Sequence, residues 1–87
     1  MTQLEIINTK GLHARASAKF VETVEAFEAD AMVFKDGMEA AGDSIMGLLM
    51  LAAAKGTCIE VTTSGPQADD LMSALQTLVA NKFGEAD

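Results

Sequence analysis

The sequence predicts an α+β fold in which four short strands and three amphipathic helices follow in the order βαββαβα. Three observations predict it. Segments rich in branched apolar residues, among them Leu4-Glu5-Ile6-Ile7 and Cys58-Ile59-Glu60-Val61-Thr62-Thr63, cluster or alternate as strands do. Phe20, Val21, Val24 and Phe27 fall at i, i+1, i+4 and i+7 on one helical face, and Leu71, Met72, Leu75, Leu78 and Val79 form a second such stripe. Asp36-Gly37, between two strand-like runs, is a strong hairpin signal. Placing every helix on one face of the sheet gives an open-faced sandwich. The pattern alone also permits a ferredoxin-like sheet with an added helix.

The elements follow from local chemistry. The first strand is expected over residues 3–8 and the first helix from 14 or 15 to about 27. Residues 31–36 form the second strand, with Met32 and Phe34 on one face, and 38–41 the return strand. Gly42-Asp43-Ser44 offers a turn, and Asp43 or Ser44 can cap a second helix by accepting from its free N–H groups. That helix is expected to reach about residue 54 and to close at Lys55-Gly56. The fourth strand spans 58–63, Ser64-Gly65-Pro66 turns the chain, and the last helix starts near Ala68 with Asp69 and Asp70 in its acid-favouring first turn. Residues 81–87 are expected to fray.

The only histidine, His13, falls in Thr9-Lys10-Gly11-Leu12-His13-Ala14-Arg15-Ala16-Ser17, between a strand and a helix start. The first N–H groups of a helix lack carbonyl partners and carry partial positive charge, so an anion is favoured there. Gly11 supplies backbone freedom for a tight turn. Arg15 adds a planar guanidinium that matches phosphoryl oxygens, at a helix end where a cation otherwise costs stability. An imidazole, with an unperturbed pKa of about 6.5, is a competent nucleophile near neutral pH. These features fit a histidine that accepts and releases a phosphoryl group, with the backbone N–H groups of Ala14 and Arg15 as fixed dipoles toward it. A lone histidine without neighbouring cysteine or second imidazole does not furnish a zinc site.

Gly11-Leu12-His13-Ala14-Arg15 resembles the active-site signature of the histidine-containing phosphocarrier (HPr) family of the phosphotransferase system. Asp43-Ser44-Ile45-Met46-Gly47-Leu48-Leu49 is similar to that family's regulatory-serine segment, in register with the first motif. With length and element order, the resemblance covers essentially the whole chain as one domain, 1–87. It implies a four-stranded antiparallel sheet under three helices, and a phosphoryl group carried on Nδ1 of His13. It also implies that His13 is loaded from the phosphohistidine of enzyme I, ultimately from phosphoenolpyruvate, and unloaded to an EIIA-type acceptor domain. Ser44 is, by resemblance, the target of an ATP-dependent HPr kinase/phosphorylase, and an apolar patch beside the histidine is the docking face. Ile45, Met46 and Leu49 are assigned to it because a helix of about ten residues, apolar nearly all round, cannot bury every side chain. Phe20, at the expected exposed edge of the first helix, is added to them. The chain departs from the family pattern at Ala16, where many members have proline, at Ala52, where many have glycine, and at Asp43, where many carry a basic residue.

Composition narrows the alternatives. Six Lys and Arg against thirteen Asp and Glu give a net charge of −7, which argues against nucleic acid and anionic membranes as partners and for basic docking faces. The longest apolar run, residues 45–54, is about half the length of a bilayer span. A single cysteine, Cys58, expected as a half-buried thiol, and the lack of a signal-like start point to the cytoplasm. No cofactor or metal is expected, and nothing supports a stable oligomer, so a monomer is expected. Competing readings are a nitrogen-branch (NPr-like) regulatory phosphocarrier, a regulatory interaction module switched at Ser44, and a ferredoxin-like small-molecule-binding domain.

Overall fold

The structure, a computed structural model, describes residues 1–86. Its elements are β1 (Thr2–Glu5), α1 (Ala14–Glu25), β2 (Asp30–Lys35), β3 (Met38–Ala41), α2 (Ile45–Met50), β4 (Cys58–Ser64) and α3 (Ala68–Ala80), followed by a short 3₁₀ turn, Lys82–Gly84. The strands form one antiparallel sheet in the order β1-β4-β2-β3. The expected four-stranded antiparallel sheet under three helices is therefore what forms.

Strand alternation sets the two faces of the sheet. Leu4, Ala31, Val33, Ala40, Ile59 and Val61 point inward and are buried. Phe20 and Val24 of α1, Leu48 of α2, and Leu71, Leu75 and Val79 of α3 join them in one core. On the other face Glu60 is exposed while Met32 and Phe34 are half-buried. Cys58 lies on that open face and is exposed, because β4 begins there with its odd-numbered residues turned inward. The expected half-buried thiol is thus corrected.

Two other expectations fail for physical reasons. Phe20 is fully buried, the chain's largest core side chain together with Phe83, so it is not a surface contact. The α1 stripe that contains it faces the sheet, and its exposed residues are the polar ones between.

The second helix ends at Met50, well short of Lys55-Gly56. Ala52 takes φ 52°, the left-handed conformation that follows a helix end, and its N–H donates to the Leu49 carbonyl at 3.1 Å. An alanine there is strained, because Cβ crowds the carbonyl oxygen in this region at a cost of about 1–2 kcal/mol. Ala52→Gly is accordingly expected to stabilise the protein by about 1 kcal/mol, read as a rise in Tm of about 4–8 °C. An unchanged or lower Tm would show the backbone here to be unstrained.

Candidate functional site

The turn between β1 and α1 is pinned from below. Gly11 adopts φ 68°, and a Cβ there would lie 2.5 Å from the Ala53 carbonyl oxygen, so only glycine fits against the segment after α2. The Leu12 N–H donates to that same carbonyl at 2.9 Å, and the Ser17 hydroxyl donates to the Leu12 carbonyl at 3.2 Å. Asn8, fully buried, donates from Nδ2 to the Gly11 carbonyl at 2.8 Å. These contacts leave His13 as the N-cap of α1, with extended backbone.

Both nitrogens of the His13 ring are engaged. The backbone N–H of Arg15 donates to Nδ1 at 3.3 Å, a long bond to a lone pair. Nε2 pairs with Oε2 of Glu85. A carboxylate accepts only, so the neutral ring carries its proton on Nε2 and its lone pair on Nδ1. That lone pair faces the first turn of α1, where the dipole and free N–H groups favour an incoming anion. The ring is one-quarter exposed, enough for a partner to reach it.

Glu85 was not legible as a site residue, and residues 81–86 do not fray. Lys82, Phe83 and Gly84 take φ of 56°, 56° and 78°, a left-handed turn that folds Phe83 completely into the core. Lys19 locks it by donating from Nζ to the Phe83 carbonyl at 2.6 Å. Glu85 emerges against His13, and its Oε1 accepts from Asn8 Nδ2 at 3.0 Å. The one signal in the sequence was an aromatic followed by glycine just past the helix, Phe83-Gly84. Asp87 lies outside the described residues.

Three of the chain's six basic side chains, Lys10, Arg15 and Lys19, line a hollow of about 380 Å³ with Thr9, Gly84 and Glu85. In a chain of net charge −7, this is a local cationic field beside the ring. Arg15 itself is exposed and lies within the first turn of α1. Leu49, Ala52 and Ala53 share a smaller hollow with Lys10, Leu12 and His13, which joins α2 to the site. Ile45, Met46 and Met50 of α2 are 40%, 69% and 67% exposed; of the α2 residues only Leu49 lines the hollow that His13 shares. Ser44 caps α2 as expected, its Oγ accepting from the Gly47 N–H at 3.0 Å. No group of three or more His, Cys, Asp or Glu among the described residues could hold a metal ion. No helix among them is long and apolar enough to cross a membrane.

A family model described as the PTS HPr component phosphorylation site matches residues 1–81. The chain belongs to the HPr family. It is similar to the phosphocarrier protein HPr of Neisseria meningitidis, 50% identical over 84 residues that cover 97% of this chain and 94% of that one. It is also similar to the phosphocarrier protein NPr of Escherichia coli, 40% identical with 94% and 92% covered. Among solved structures, HPr from Thermoanaerobacter tengcongensis superposes with a TM-score of 0.93 at 35% identity, covering 99% of this chain and 97% of that one. The protein is thus a phosphocarrier of the phosphotransferase system, of the HPr and NPr kind.

The electrostatics of this HPr-family site are testable through Glu85. Burial raises its carboxyl pKa, but the hydrogen bonds from His13 and Asn8, and the charges of His13 and Lys10, outweigh this and hold it below the ordinary 4.5. A carboxyl whose folded value is depressed stabilises the fold above its unfolded value and loses that contribution as pH falls through the folded one. Relative to Glu85→Gln, the wild type is therefore expected to lose additional stability as pH drops below about 4.5, measured by urea unfolding at stepped pH. Parallel curves for the two proteins would contradict the pairing.

Proposed function

We propose that His13 is the phosphoryl carrier, loaded from the phosphohistidine of enzyme I and unloaded to an EIIA-type acceptor. The observation that carries this reading is the Nδ1 lone pair of His13, aimed at the first turn of α1 beside Arg15. In the transfer, Nδ1 forms a bond to phosphorus as the bond to the donor's nitrogen breaks and its electron pair returns to the donor ring. As Nδ1 gives its lone pair to phosphorus, the Arg15 N–H releases Nδ1 and, with the Ala14 N–H and the Arg15 guanidinium, meets the phosphoryl oxygens.

Ile45, Met46 and Leu49 are the proposed docking surface. Flexible methionine suits a face that must bind different partners in turn, and the acidic balance of the chain suits partners with basic rims. Ser44 lies half-buried at the edge of this face. A phosphate placed on it would add negative charge where such partners approach, and weaken their encounter. The proposed setting is the cytoplasm, consistent with the exposed free thiol of Cys58.

The likeness to NPr of Escherichia coli favours a second reading, in which the donor and acceptor belong to the nitrogen-regulatory branch. Intact-mass analysis after incubation with each branch's enzyme I and phosphoenolpyruvate separates them. One acid-labile phosphoryl group is expected on the wild type and none on His13→Ala, and Arg15→Ala is expected to slow loading about 100- to 1000-fold. A labelled His13→Ala would refute the carrier assignment.

A further inference from the structure

The Asn8–Glu85–His13 chain is built more firmly than a stray tail contact. Glu85 follows a turn whose aromatic is fully buried, and its side chain is 12% exposed. Both carboxylate oxygens are used, one on the ring and one on a buried amide. The orientation of that amide follows from its partners: Nδ2 meets two oxygen acceptors, the Gly11 carbonyl and Oε1, so turning it over would set oxygen against oxygen. The Asn8 Oδ1 has no hydrogen-bond partner among the described residues.

We propose that Glu85, held by Asn8, is a positioning residue for His13: it keeps the proton on Nε2 and balances the positive charge the ring acquires when Nδ1 takes the phosphoryl group. The inference rests on the carrier reading above. When Nδ1 gives its lone pair to phosphorus, the ring retains its Nε2 proton and becomes a phosphoimidazolium. The donor's nitrogen recovers the electron pair of the broken bond, and no proton enters or leaves this chain.

The surroundings make the counter-charge necessary. Lys10 from the turn, and Arg15 and Lys19 from α1, line the hollow beside the ring, and Glu85 is the one carboxylate among its described lining residues. The side toward α2 presents Leu49 and alanines, with Lys10 again the only charge. These cations suit the phosphoryl oxygens but oppose a charged ring. Glu85 separates the two demands, much as the aspartate of a serine-protease triad stabilises an imidazolium without taking its proton.

Glu85→Gln keeps the shape and one acceptor oxygen for the ring N–H, but it removes the charge and sets an NH2 group against the Asn8 amide. Its thermal melt at neutral pH is expected to remain cooperative. Its rate of loading from phosphorylated enzyme I is expected to fall about tenfold, the low end of the loss seen when the partner that orients a metal-bound histidine is removed. In the phosphorylated protein, followed by ring ¹⁵N NMR, the Nε2 proton is expected to be lost about one pH unit lower or more than in the wild type. A purely structural staple would move neither the loading rate nor that titration. Asn8→Ser, which frees Oε1 but leaves the charge, is expected to fall between the two proteins in both readouts. If the wild type is loaded on His13 and Glu85→Gln matches it in rate and titration, the inference is overturned and the carrier reading stands. If the wild type takes no acid-labile phosphoryl group, both are overturned.

Discussion

The imidazole of His13 is held between the N–H of Arg15 on one nitrogen and the Glu85 carboxylate on the other, and the remaining geometry of the site follows from that. A ring so held has one protonation pattern in its neutral form. Its lone pair looks along the start of α1, where an anion is favoured, and its proton looks at a carboxylate. A free histidine at a helix end would have neither a chosen tautomer nor a chosen direction.

Holding the ring requires two distant ends of the chain to meet, and the core makes them meet. Phe83 carries the left-handed turn into the same apolar cluster that Phe20 and Val24 of α1 enter. Burial of an aromatic of this size contributes on the order of 2–3 kcal/mol, comparable to the backbone cost of about 2–4 kcal/mol for two non-glycine residues at positive φ. Below the ring, Gly11 lets the turn approach Ala53 to within bonding distance, which ties the site to the segment after α2. The segment after α2 and the turn that carries the ring are therefore joined by a direct backbone hydrogen bond.

The periodic parts of the fold were legible in the sequence because they follow from burial alone. The strand at Met38–Ala41 matches residue for residue, and α3 begins at Ala68 as its acidic first turn indicated. Where a backbone conformation was chosen by tertiary contact, sequence reading failed. Ala52 ends α2 in a conformation its own chemistry disfavours, so the Lys55-Gly56 signal misled. Phe20 belonged to a stripe already facing inward. The cationic turn around His13 was legible because glycine, histidine and arginine at this spacing carry their meaning locally. Asn8 and Glu85 were not, since 77 residues separate them and the turn around buried Phe83, held by Lys19, brings them together.

The central claim is that Nε2 is occupied and Nδ1 is the reacting nitrogen. It is tested most directly by ³¹P and ¹⁵N NMR of the protein labelled in its single histidine and loaded by enzyme I with phosphoenolpyruvate. The account predicts phosphorus coupled to Nδ1 and a proton on Nε2 at mildly acidic pH. Phosphorus on Nε2, with Glu85 displaced from the ring, would contradict it.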